Sequence, residues 1–156
     1  MIVSIDVDDD GWNDLPALEE LTRAAAGAAC AKAGIAHENL EAAILFTSDA
    51  AISGLNSDWR GKPHATNVLA FPAGNFAVPR GEAKPLGDIV LASGVIVREA
   101  AEQGKTLPGH VSHLIVHGVL HLLGYDHQTD EEARQMECLE TEILKGLGYP
   151  DPYERH

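Results

Sequence analysis

Apolar and polar positions alternate at the start of the chain. Ile2, Val3, Ile5 and Val7 stand against Ser4, Asp6 and Asp8, a period of two that predicts a strand. Asp14 followed by Leu15-Pro16 reads as a helix cap with proline in the first turn. Leu18, Leu21, Ala24, Ala25, Ala28 and Ala29 then keep helical spacing until Gly34 stops them. Ala42 to Thr47 predicts a second strand, and Asp49 to Leu55 a short helix opening on Ser48 or Asp49. Beyond a polar loop, Asn67 to Phe71 predicts a third strand stopped by Pro72. Asp88 to Ala92 predicts a fourth, after a Gly/Pro/Asn-rich loop from Ala73 to Pro85. The remainder reads as three helices, Ser93–Gln103, Pro108–Leu123 and Asp130–Lys145. Strands crowd the first half and helices the second. The expected fold class is therefore α+β (mixed α/β), about four strands packed with about five helices. Nothing divides the chain, so a single domain over 1–156 is expected.

Composition adds little to that picture, with 45% hydrophobic and 22% charged residues. Cys30 and Cys138 match no metal or redox spacing and read as buried or half-buried thiols. No window approaches the ~18 apolar residues of a membrane span, and the opening residues lack the form of a signal peptide. A soluble cytoplasmic protein without a membrane partner is expected.

The net charge of −13 matters more, because an acidic chain repels nucleic acid at long range. It is unevenly spread. Between Ser57 and Gly109 six basic residues meet five acidic ones, so the rest of the chain carries −14. The first twenty residues and the stretch Asp130–Glu142 hold most of it and read as solvated faces. A polyanion is expected to approach only through the near-neutral middle.

The informative segment is His110-Val-Ser-His113-Leu-Ile-Val-His117-Gly-Val-Leu-His121-Leu-Leu-Gly124-Tyr-Asp-His127. His117 and His121 are four apart, on one face of the predicted helix, where two imidazoles reach one ion at about 2.0–2.1 Å. Gly124 falls where the helix should end, so the chain can turn back and deliver His127 as a third ligand. A lone histidine would read as a core or surface group; three at these offsets read as a metal site. Three protein ligands on a tetrahedral ion leave a fourth position open, the catalytic pattern, and imidazoles favour zinc, with nickel or copper possible. His113 reads as a group behind the ligands or a wall of the pocket. His110 reads as an exposed first-turn residue, and His37, His64 and His156 have no assigned partner.

The offsets match the zinc-peptidase pattern HExxHxxGxxH, but Gly118 stands where that pattern has its general base. Asp126 is the acidic residue inside the segment. It reads either as a catalytic or ligand-orienting carboxylate or as a turn aspartate bonded to its own backbone.

The stretch His117-Gly-Val-Leu-His121-Leu-Leu-Gly124-Tyr-Asp-His127 resembles the signature of the YbeY family of bacterial rRNA-maturation endoribonucleases. Leu55-Asn56-Ser-Asp-Trp-Arg60-Gly-Lys62, Thr66-Asn67-Val-Leu-Ala-Phe-Pro72 and Leu86-Gly87-Asp88-Ile89 agree with it in order and spacing. The family often has Asp at the position of Asn67 and Ser at that of Ala70. The resemblance implies a three-histidine metal site, single-strand-specific RNA cleavage, maturation of the 16S rRNA 3′ end and a part in ribosome quality control. Its partners would be rRNA and the small ribosomal subunit, with protein partners to offset the acidic surface, and not DNA. Arg60 corresponds to the family's important arginine; a guanidinium there would fork onto phosphate oxygens. The attacking oxygen would come from water or from the RNA's own 2′-hydroxyl. Two other classes remain at this point: a metallopeptidase-like zinc hydrolase, and a ribosome-associated adaptor with a non-catalytic metal.

Overall fold

Strand alternation sorts the interior into two unequal clusters, one on each face of a sheet. The structure is a computed structural model that describes residues 2–13, 15–34, 40–61, 66–73 and 82–153, and only the backbone of Trp59 and Arg60. Four strands, β1 (Ile2–Val7), β2 (Leu40–Thr47), β3 (Val68–Pro72) and β4 (Lys84–Ala92), lie in the order β1-β2-β4-β3. β1, β2 and β4 run parallel, while β3 pairs antiparallel with β4 at the edge. Ala42, Ile44 and Phe46 of β2 and Ile89 and Leu91 of β4 point into the larger cluster. Val90 and Ala92 of β4 point the other way, to Ile52 and Leu69.

Five α-helices complete the described architecture: α1 (Leu18–Lys32), α2 (Asp49–Arg60), α3 (Ser93–Glu102), α4 (Leu107–Leu122) and α5 (Asp130–Gly146). Residues of α1, α4 and α5 fill the larger cluster, and Ile52 of α2 the smaller. The α+β expectation, with four strands and five helices, agrees with this arrangement.

α4 is the axis of the fold. Eleven of its sixteen residues are buried, which suits a helix apolar on nearly every side. Thr106 caps it, its hydroxyl accepting from the Gly109 amide at 3.2 Å. At its far end the Gly124 amide donates to the His121 carbonyl and the Tyr125 amide to the Leu120 carbonyl, both at 3.0 Å. That pair of bonds requires a left-handed residue, and Gly124 has φ +107°.

Several boundaries differ from the sequence reading for local reasons. α1 begins at Leu18 behind Ala17, which has φ +57° and no side-chain cap; Leu15 is drawn into the core by a turn on Trp12 instead. Asp14, the expected cap, lies outside the described residues. α2 continues past Leu55 to Arg60 because Asn56 is buried and Gly61, at φ +66°, ends the helix. β4 starts at Lys84, paired with β2 across a register shift at Glu41/Ala42 that accommodates Pro85. Cys30 is buried as expected, but Cys138 is exposed on the outer side of α5.

Among the described residues, no helix is long and apolar enough to cross a membrane.

Candidate metal centre

The histidines of the informative segment stand at the end of α4 and in the turn after it. His117 and His127 are brought together, with ring centres 5.6 Å apart and planes at 77°. Two imidazoles sharing one tetrahedral ion place their ring centres roughly 5 Å apart, so this pair fits a common ion. His121 follows one turn after His117, half-buried, with no hydrogen bond or ring contact among the described residues. No group of three or more metal-ligating side chains forms a ready-made cage among those residues.

The donor chemistry behind the pair also fits a metal. Glu140 of α5 sets Oε1 at 2.6 Å from His117 Nδ1. With Nδ1 held by a carboxylate, Nε2 is the ring nitrogen left to donate its lone pair. His117 is itself 28% exposed, whereas Glu140 is 1% exposed. Burial pushes the Glu140 carboxyl up, but hydrogen bonds from His113, His117 and Tyr153 outweigh it and hold the group at about 2. The carboxylate is therefore ionised at neutral pH.

His113 is buried beside the same carboxylate. Its Nε2 lies 3.4 Å from Glu140 Oε1 and 3.3 Å from the Tyr153 hydroxyl. Its ring also walls a cavity of about 590 Å³ bounded by Asn67, Glu99, His110 and Tyr153. His110 departs from its expected exposure: it is buried, with Nε2 3.0 Å from Glu99 Oε1. Burial lowers its pKa despite that carboxylate. Asn67 joins the same group, donating from Nδ2 to Glu99 Oε1 at 3.1 Å.

Asp126 sits at the outer lip. Its Oδ1 accepts from the His127 amide at 2.8 Å and lies 3.5 Å from His127 Nδ1, on a ring that is 57% exposed. Arg60 ends α2, and its side chain lies outside the described residues, as do His37, His64 and His156.

Gly118 explains why no peptidase base stands beside His117. A Cβ there would come within 3.0 Å of Ile89 Cδ1 and 3.2 Å of Ile89 Cγ2. The residue after His117 faces β4, where any larger side chain would press on Ile89.

Glu140 and Tyr153 escaped the sequence reading, which took Asp130–Glu142 for a solvated face. The signal was present: Met136, Glu140, Ile143 and Leu144 share one helical stripe, and all four are buried.

The fold and site together define a class, an α+β domain whose buried helix ends in a carboxylate-backed histidine site. Comparison with known sequences gives the family: the chain belongs to the Endoribonuclease YbeY family, whose pattern matches residues 6–148. A relative named Endoribonuclease YbeY from Azorhizobium caulinodans is 46% identical over 98% of this chain and 96% of its own length. Relatives of the same name from a Bradyrhizobium species and Allorhizobium ampelinum are 48% and 47% identical, over 92% and 97% of this chain and 87% and 93% of their own lengths. The solution structure of TM1509 from Thermotoga maritima shares the fold, with a TM-score of 0.60 at 22% identity. That match covers 99% of this chain and all of the other.

Proposed function

We propose that this chain is a metal-dependent, single-strand-specific endoribonuclease that matures the 3′ end of 16S rRNA and takes part in ribosome quality control. The observation that carries the metal reading is the 2.6 Å contact of Glu140 with His117, within a chain of the endoribonuclease family. His117, His121 and His127 hold one divalent ion, zinc by preference for imidazole ligands. Lewis acidity toward a phosphate oxygen or a water is the chemistry such an ion supplies when bound.

The protein's own groups do the rest. Glu140 keeps the proton of His117 on Nδ1 and fixes the ring. Asp126 orients the His127 backbone and ring from the lip. Arg60 grips the scissile phosphate with a guanidinium fork and steadies charge developing on it. The acidic remainder of the chain weakens unaided affinity for RNA, so the small ribosomal subunit and protein partners bring the substrate in, in the cytoplasm. A metallopeptidase is disfavoured because Gly118 stands where its base would be, and a Cβ there would come to 3.0 Å from Ile89 Cδ1.

Cleavage of single-stranded and fully paired RNA by the purified chain tests this reading. Single strands should be cut, paired RNA spared, chelation should abolish cutting, and Arg60→Ala should lower it at least ~100-fold. Unchanged cutting after chelation and in Arg60→Ala would overturn it.

A further inference from the structure

Glu140 is met by three donors from two separate elements. His117 and His113 come from α4, and the Tyr153 hydroxyl, from the segment after α5, donates to Glu140 Oε2 at 2.5 Å. That segment is pinned back onto the helix that carries Glu140. Asp151 Oδ1 accepts from the Tyr153 amide at 2.8 Å and from the Thr141 hydroxyl at 3.4 Å. Tyr153 is 44% exposed as a residue, yet its hydroxyl reaches a carboxylate that is 1% exposed.

The arrangement is unusual for a structural carboxylate. A buried carboxylate is normally neutralised by a lysine or arginine, whereas the partners of Glu140 are two imidazoles and a phenol. Three hydrogen bonds, and no fixed cation among those partners, answer its charge. The two oxygens also have different duties: Oε2 is occupied by Tyr153, which leaves Oε1 aimed at His117 Nδ1. A carboxylate free to rotate would not hold one ring nitrogen in one tautomer.

We propose that Tyr153 and Glu140 are positioning residues for the ion site. Tyr153 fixes the Glu140 carboxylate, and Glu140 fixes the tautomer and orientation of His117. Docking of the turn 150–153 against α5 thereby sets how tightly the histidines hold a divalent ion. This inference rests on reading His117 as a ligand.

Zinc affinity of the full chain, measured by competition with a chelator, tests it. Wild type is compared with His121→Ala, Glu140→Gln, Tyr153→Phe and the Glu140→Gln/Tyr153→Phe pair. His121→Ala should abolish tight binding, Glu140→Gln should weaken it 10–100-fold, and Tyr153→Phe several-fold. The double variant should bind like Glu140→Gln alone, because Tyr153 acts through Glu140. The nitrogen NMR signals of His117 in the zinc-free protein should report an Nδ1–H tautomer in wild type and a mixture in Glu140→Gln. A purely structural role would lower zinc-free stability while leaving zinc affinity and tautomer alone. If Glu140→Gln does not fold, Tyr153→Phe, on the rim, still decides. Wild-type zinc affinity in Tyr153→Phe and in every folded Glu140 variant, with binding lost in His121→Ala, overturns the positioning role alone. Unchanged binding in His121→Ala overturns the metal reading and this inference with it.

Discussion

Two carboxylates flank the histidine site, and they differ in almost every physical respect. Asp126 is beside His127 in the chain, partly exposed, and bonded to its neighbour's backbone amide, with the ring 3.5 Å away. Glu140 is 23 residues from His117, buried, and 2.6 Å from its ring. Water screens the first and competes with each of its contacts; the second has no solvent to fall back on, so its partners become obligatory. The outer lip of the site is therefore adjustable and the back wall is not. Proximity in sequence is a poor guide to which carboxylate holds a histidine of the site most closely.

The contrast can be broken most severely by putting a charge where the wall is closed. Gly118→Glu restores the peptidase pattern on paper, but its Cβ would press on Ile89 and bury an unpaired carboxylate. We expect a loss of about 4 kcal/mol or more, and no peptide cleavage. Folded yield and urea unfolding check the first, and a zinc-supplemented peptide assay the second.

Removing the wall itself comes next. Glu140→Ala strands His117, His113 and Tyr153 together and should cost about 3 kcal/mol in urea unfolding of the metal-free protein at pH 7. The same carboxylate sets an acid limit. Its pKa of about 2 lies below the ordinary 4.5, so the unfolded chain binds its proton first as pH falls. The stabilisation is fully present above pH 4.5 and is lost progressively toward pH 2, on the order of 3 kcal/mol in all. Unfolding midpoints of wild type and Glu140→Gln should therefore converge as pH drops from 5 to 3. Parallel curves would mean that Glu140 is not the group responsible.

The lip should respond least. Asp126→Ala is expected to change stability by about 1 kcal/mol or less, because one exposed turn bond is lost and water replaces it. A cost equal to that of Glu140→Ala would erase the distinction between the two carboxylates.

The legible parts of the molecule were those encoded by short-range spacing. His117, His121, Gly124 and His127 lie within eleven residues, and a helix followed by a glycine stop fixes their offsets without knowledge of the tertiary fold. β1 was legible through alternation, and Ser48 marked the start of α2. Where tertiary contact decided, local signals fell short. Asn56 looks like loop but is buried in a longer α2; Pro85 looks like a strand breaker but sits at a register shift. Tyr153 follows the last helix and reveals nothing until that helix is seen to carry Glu140. Glu140 was the one partly readable case, since its place in the stripe of Met136, Ile143 and Leu144 contradicted a solvated face.

The central claim is a single ion held by three histidines. Equilibrium dialysis of the purified chain against zinc tests it most directly, beside His117→Ala, His121→Ala and His127→Ala. One tightly bound ion per wild-type chain, lost or weakened at least ~100-fold in each variant, is the expected result. Zinc stoichiometry and affinity that survive all three substitutions would contradict it.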